Sequence, residues 1–329
     1  MDEGSAVSRQ RSLLKGVRDA LARPIESRFG PLRALRDHRR TLGTIPSVRQ
    51  ALATFDARWP EDRASHDEQP VFILSAGWRS GSTLLQRLIL SGNDALIWGE
   101  PYDHCDLVRR LADSLRALGP EYPPDHFTPE RQKLSGAAAL SGEWVANMYP
   151  HPRHLLHAHR AFFLSLYQAP ATAAGFMRWG FKEVRLGVDY AAYIAWLFPA
   201  ARFVFLYRNP YRAYRSYRRF RGWYDRWPTE PVLTAKQFGI RWRRLAGGFA
   251  GEHGLAGALT LRYEDLVRDD SVISRLSDHV GMTLRSEVLG ERIAGAGSGR
   301  VKPQPATRSE VRALRRQVEP LASRLGYAP

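Results

Sequence analysis

The stretch VFILSAGWRSGSTLLQR, residues 71–87, runs from a short apolar segment through a Gly/Ser turn into leucines at helical spacing. That order predicts a strand, a tight loop and a helix N-terminus. Exposed backbone N–H groups and the helix dipole then converge on one point and form an anion site. Gly77 and Gly81 suit the turn, and Ser82-Thr83 stands where a nucleotide triphosphatase would carry Lys-Ser/Thr. The loop therefore reads as a phosphate cradle of the P-loop kind without its lysine. The N–H groups of Ser80, Gly81, Ser82 and Thr83, the two hydroxyls of Ser82 and Thr83 and the Arg79 guanidinium are the groups expected to hold a terminal phosphate or sulfate.

Outward from this stretch, apolar runs of strand length alternate with helical patterns. Strands are expected at 71–76, 94–98, 178–182, 202–207 and 257–262. Helices are expected at 82–91, 103–117, 154–168, 188–197, 210–221, 234–250, 271–280, 286–294 and 307–318. Short apolar strands separated by helices predict an α/β fold with a mostly parallel, doubly wound sheet covered on both faces. The expected division is a basic, helical N-terminal extension over residues 1–68 and an α/β domain over 69–329. The leucines of that extension could pack on the main domain or touch a membrane surface, and a solvated helical extension is the simpler expectation.

The chain has 329 residues, 44% of them hydrophobic, enough for a sizeable core and unlike a disordered protein. One cysteine, Cys105, excludes an internal disulfide framework and reads as a small buried residue in a reducing compartment. No run is long and apolar enough to span a membrane, and no leader pattern opens the chain, so a cytoplasmic location is expected. The net charge of +16 calls for anionic ligands. Lysine occurs only at Lys15, Lys133, Lys182, Lys236 and Lys302, so dispersed arginine carries nearly all of it, and no basic stripe lies on a nucleic-acid reading motif. The histidines of HPRHLLHAH, 151–159, have no carboxylate or cysteine close by, which argues against a metal.

A second constellation is FVFLYRNPYRAYRSYRRF, 203–220, where an apolar strand delivers Arg208 to the sheet edge and Pro210 opens a helix carrying Ser216. A guanidinium at a strand end and a hydroxyl about two turns along the next helix can grip a second phosphate. Arg215, Arg218, Arg219 and Arg221 read as a solvated face.

AGWRSGST, followed by Arg208 and Ser216 eight residues apart, resembles the sulfotransferases that use 3′-phosphoadenosine 5′-phosphosulfate (PAPS). The likeness continues in family order through IWGEP (97–101), GFKEVR (180–185), LRYEDLV (261–267) and SGRVKP (298–303), and so spans roughly residues 71–305. It implies that the loop binds the 5′-phosphosulfate, that Arg208 and Ser216 bind the 3′-phosphate, and that the product is adenosine 3′,5′-bisphosphate. Sulfuryl transfer needs a cation on the leaving oxygen, donors for the equatorial oxygens and a base for the acceptor proton, with no metal required. Lys182 suits the leaving oxygen and Arg79 the equatorial oxygens. By resemblance to members with a carboxylate base, such as protein-tyrosine sulfotransferases and some bacterial enzymes, Glu100 is the expected base, with His104 as its rival. Glu183 is expected to orient Lys182 or a loop arginine. Tyr263 either lies against the nucleotide or packs under the loop, and Ser298, Arg300 and Lys302 resemble the loop that closes over it. A P-loop kinase, or a nucleic-acid-binding protein using YRNPYRAYRSYRRFRGWY, are the alternatives; the acceptor is not legible.

Overall fold

The computed structural model describes residues 45–60, 68–101, 105–128, 134–142, 145–220, 231–251, 254–291 and 305–328. His104, Arg221, Ser298, Arg300, Lys302 and residues 1–44 of the expected extension lie outside them. Five strands form one all-parallel sheet: β1 Val71–Ser75, β2 Ala95–Trp98, β3 Arg178–Glu183, β4 Arg202–Tyr207 and β5 Leu259–Arg262. Their order across the sheet is β2-β3-β1-β4-β5. The first strand is thus central: the chain leaves it on one side for β2 and β3, then crosses over it once, between β3 and β4, to reach the other side.

The longer helices are α1 Val48–Arg58, α2 Ser82–Leu90, α3 Leu107–Ser114, α4 Pro152–Phe163, α5 Val188–Leu197, α6 Pro210–Tyr217, α7 Ala235–Ala250, α8 Asp270–Val280 and α9 Arg308–Arg324. Three of them open on reciprocal capping boxes, Ser47 with Gln50, Thr234 with Gln237 and Thr307 with Glu310. Alternation along β1 divides the core. Phe72 and Leu74 face one apolar layer with residues of α1, α4, α5, α7 and α9. Val71 and Ile73 face the other with Leu85, Leu88 and Ile89 of α2 and Leu276 and Val280 of α8. Both faces are covered, which is why β1 reads as a continuous apolar run instead of an alternating one.

Several boundaries shift. The compact unit begins at Ser47 and not at residue 69. The physical reason is α1, whose Val48, Ala51, Leu52 and Phe55 join the core layer, with Phe55 edge-on to Trp196 of α5 and Asp56 accepting from the Trp196 indole at 3.0 Å. β3 extends through Lys182 to Glu183. Residues 164–168 form a π-turn continuing α4, and 286–289 form only a 3₁₀ turn where a helix is expected. Cys105 is exposed, contrary to the buried reading, because α3 turns Val108 and Ala112 inward instead. In HPRHLLHAH, His151 caps α4 by accepting from the Arg153 N–H, His154 and His157 are exposed, and buried His159 hydrogen-bonds the Tyr193 hydroxyl at 2.9 Å. Among the described residues no cluster of three or more histidine, cysteine or carboxylate side chains is placed to hold a metal, and no helix is long and apolar enough to cross a membrane.

Candidate active site

All five strands run the same way, so their carboxyl ends open on one edge of the sheet. There β1 delivers the loop 76–81, β2 delivers Glu100, β3 carries Lys182, β4 ends at Arg208 and β5 leads into Tyr263. This edge, where connections diverge from a central strand, is where open α/β sheets bind ligands. A cavity of about 320 Å³ lies there, lined by Trp78, Arg79, Gly81, Ser82, Thr83, Leu84, Arg87, Glu100, Lys182, Val184, Arg208, Tyr263, Leu289 and Glu291.

The loop is held open by backbone geometry. Gly77 and Gly81 take left-handed φ of 83° and 98°, and Arg79 does so at 65°, a conformation that costs a non-glycine residue about 1–3 kcal/mol. Gly81 is the N-cap of α2, and no side chain caps its first turn, so Ser82 enters the helix as its first residue and not as its cap. The first N–H groups of α2 therefore have no side-chain acceptor from the cap position. Gly81 is also held by close approach: a Cβ there would stand 2.2 Å from Cδ2 of Tyr263.

Charge around the cavity is mostly positive. The Arg79 Nε donates to the Ser216 hydroxyl at 2.9 Å, tying the loop to α6. Arg208 donates to the Arg79 carbonyl at 3.1 Å, and its guanidinium lies 4.1 Å from the centroid of the Tyr263 ring. Burial holds the Arg208 guanidinium below the usual arginine value, partly offset by Tyr263 and Glu264. Its backbone is fixed from behind, since the indole of buried Trp242 on α7 donates to the Arg208 carbonyl at 2.9 Å. On the opposite wall Lys182 donates to the Glu100 carboxylate at 2.5 Å, with both side chains largely buried. The end of β2 that presents Glu100 is pinned by two bonds, Gln86 to the Ile97 carbonyl at 2.8 Å and the Trp98 indole to the Tyr167 carbonyl at 3.0 Å.

Of the residues expected from sequence, Arg79, Gly81, Ser82, Thr83, Glu100, Lys182, Arg208 and Tyr263 share this one cavity. Ser80 is buried and Ser216 is engaged by Arg79, and neither lines it. Glu183 neither contacts Lys182 nor faces the cavity; it binds Arg185. Arg218, expected on a solvated face, pairs with Glu310 of α9 at 3.3 Å. Sequence reasoning missed Trp78, Leu84, Arg87, Val184, Leu289 and Glu291. A signal existed for Arg87, which follows Thr83 by four residues on a helix and so shares its face; its guanidinium donates to the Glu291 carbonyl at 3.0 Å.

A central parallel strand, a glycine-bent loop, a helix start without a side-chain cap and a cavity walled by arginine and lysine define an α/β protein whose sheet edge offers donors suited to an anionic group. Within that class, the profile of the Sulfotransferase family matches residues 70–286, and the chain belongs to that family. Solved structures similar to it include a sulfotransferase domain from the Synechococcus PCC 7002 olefin synthase, at 20% identity and TM-score 0.42, covering 81% of this chain and 98% of that one. A sulfotransferase domain from the curacin biosynthetic pathway gives 17% and 0.43, covering 80% and 99%. Sulfotransferase STF9 from Mycobacterium avium gives 15% and 0.39, covering 84% and 82%. The search of curated proteins returned no match.

Proposed function

We propose that this sulfotransferase takes its sulfuryl group from PAPS and passes it to a hydroxyl of an acceptor, with Glu100 as the base. The observation that carries this reading is the meeting of Glu100 and Lys182 at 2.5 Å in the same cavity as Arg79 and Arg208. The donor set fits a bisphosphate nucleotide: guanidinium and ammonium groups on opposite walls, two hydroxyls at a helix start, and an aromatic face beneath Arg208.

When bound, PAPS supplies a sulfuryl group joined to a phosphate leaving group. Ser82, Thr83 and the loop N–H groups would hold the 5′ end, and Arg208 would hold the 3′-phosphate, with Ser216, which accepts from Arg79, beside it on α6. Arg79, in the same cavity, would supply donors to the equatorial oxygens. Lys182 neutralises charge on the bridging oxygen as its bond to sulfur breaks. Glu100 takes the acceptor proton as the acceptor oxygen bonds to sulfur. The proton ends on Glu100 and the electron pair on the leaving phosphate, so the step balances without metal or redox partner.

Titration calorimetry with adenosine 3′,5′-bisphosphate tests the donor assignment. Tight binding, absent for ATP–Mg²⁺ and lost in Arg208→Ala, is expected; preference for ATP–Mg²⁺ would overturn it. Incubation with ³⁵S-labelled PAPS and a desalted host extract, followed by identification of the labelled product, then gives the acceptor.

A further inference from the structure

Beside the site lies a set of buried charges that the transfer reaction does not use. Glu183, Arg185 and Asp106 are each 5% exposed or less. The Arg185 guanidinium makes a two-pronged bond to the Glu183 carboxylate, Nε to Oε1 at 2.8 Å and Nη2 to Oε2 at 2.5 Å. The same Oε1 accepts from the backbone N–H groups of Val184 and Arg185, at 2.7 and 3.1 Å. Arg185 also stands 3.7 Å from Oδ1 of Asp106, whose Oδ2 pairs with Arg109 at 3.3 Å. Half-buried Arg109 in turn lies 5.2 Å from the centroid of the Tyr190 ring.

Buried ion pairs are poor stabilisers, since desolvation cancels most of the attraction, and apolar replacements often do as well or better. What such a network does supply is register between the segments it joins. Here those segments are the end of β3, where Glu183 directly follows Lys182, and the start of α3, where Asp106 lies six residues beyond Glu100 with residues 102–104 outside the described ones. Asp106 holds a left-handed φ of 53° at the N-cap of α3 without capping its backbone, and its carboxylate instead pairs with Arg109 on that helix and with Arg185 after β3. That strain is what a residue tolerates when its side chain is committed elsewhere.

We infer that Asp106, Arg185 and Glu183 are positioning residues that fix Glu100 against Lys182. They touch neither the acceptor nor the donor as proposed above, and the inference rests on that reading through the role of Glu100. The network therefore governs proton removal and leaves donor binding alone. This separates it from Arg208, Trp242 and Tyr263, whose loss acts on nucleotide affinity.

The experiment compares wild type with Asp106→Asn, and with Arg109→Gln, which alters the network from its solvent side and keeps the deeper pair intact. Adenosine 3′,5′-bisphosphate binding by calorimetry gives affinity and, from stoichiometry, the folded fraction. Initial rates of ³⁵S transfer from PAPS to a fixed desalted extract give apparent kcat and the KM for PAPS per folded molecule. A fall in kcat of about tenfold or more in Asp106→Asn, a smaller fall in Arg109→Gln, and nucleotide affinity and KM within twofold of wild type are expected. Unchanged kcat per folded molecule in both variants overturns the inference, as does a parallel loss of nucleotide affinity. If Asp106→Asn does not fold, unchanged kcat in Arg109→Gln alone overturns it. The underlying reading fails separately, through full transfer activity in Glu100→Gln or through wild type that does not bind the nucleotide.

Discussion

Gly81→Ala puts a single methyl group where two independent constraints meet. The φ of 98° lies in the region that L-residues rarely adopt, and placing alanine in a left-handed conformation costs about 1–2 kcal/mol. The new Cβ would also stand 2.2 Å from Cδ2 and 2.5 Å from Cε2 of the Tyr263 ring. These are ring atoms on a short side chain, so Tyr263 must move, and forced repacking of this kind costs about 1–3 kcal/mol. Together the two terms give about 2–5 kcal/mol. Tyr263 is also the aromatic face under the Arg208 guanidinium, at 4.1 Å, an interaction worth about 0.5–2 kcal/mol. Displacing it should weaken adenosine 3′,5′-bisphosphate binding by about one order of magnitude on top of the stability loss. Urea unfolding reads the first effect and calorimetry on the folded fraction reads the second. The Tyr263→Ala background separates the causes: there the clash is gone, so Gly81→Ala should cost only the backbone term. Should Gly81→Ala cost as much in that background as in wild type, the clash is not the cause and the reasoning fails.

Other outcomes follow from the same geometry. Glu100→Gln should lower the transfer rate by about 10²–10⁴-fold, the usual contribution of a positioned base, while nucleotide affinity stays near wild type; retained activity there, with loss in His104→Ala, would transfer the role to the histidine. Trp242→Phe deletes the indole N–H that donates to the Arg208 carbonyl and leaves a smaller aromatic ring in its place, so nucleotide affinity should fall severalfold with kcat unchanged, as KM and kcat at varied PAPS will read. Ser216→Ala removes the hydroxyl that accepts from Arg79, and the expected result is a weaker nucleotide affinity measured by calorimetry. Burial holds the His159 and His279 imidazoles below their ordinary value of 6.5. The unfolded chain then binds more protons than the folded one below that pH, so stability should fall as pH drops below 6.5 and be fully present above it. Urea midpoints between pH 7.5 and 5 should show this slope, and His159→Asn should flatten it.

The buried histidine illustrates what escaped a linear reading. Spacing along HPRHLLHAH does not say which histidine is buried, and only tertiary packing shows that His159 turns into the aromatic core while His154 and His157 face water. Glu183 is a second case. Its place beside Lys182 in GFKEVR leaves open whether it orients that lysine or a loop arginine; neighbours on a strand point to opposite faces, and Glu183 turns to Arg185 in the loop after β3. Arg87 and Glu291 are far apart in sequence, and only the folding of the chain beyond β5 back over α2 brings them together.

The sequence by itself determined the strand–loop–helix at 71–87, the α/β alternation and most of the residues around the cavity. It could do so because glycine at a sharp turn, continuous apolar runs in doubly covered strands and Pro210 at a helix start are local requirements written into residue type. The tertiary structure alone decided that β1 is central, that α1 belongs to the core, and that Lys182 and Glu100 meet at 2.5 Å across the β3–β2 edge. Those are matters of strand order and long-range burial, in which partners are selected by packing between segments distant along the chain.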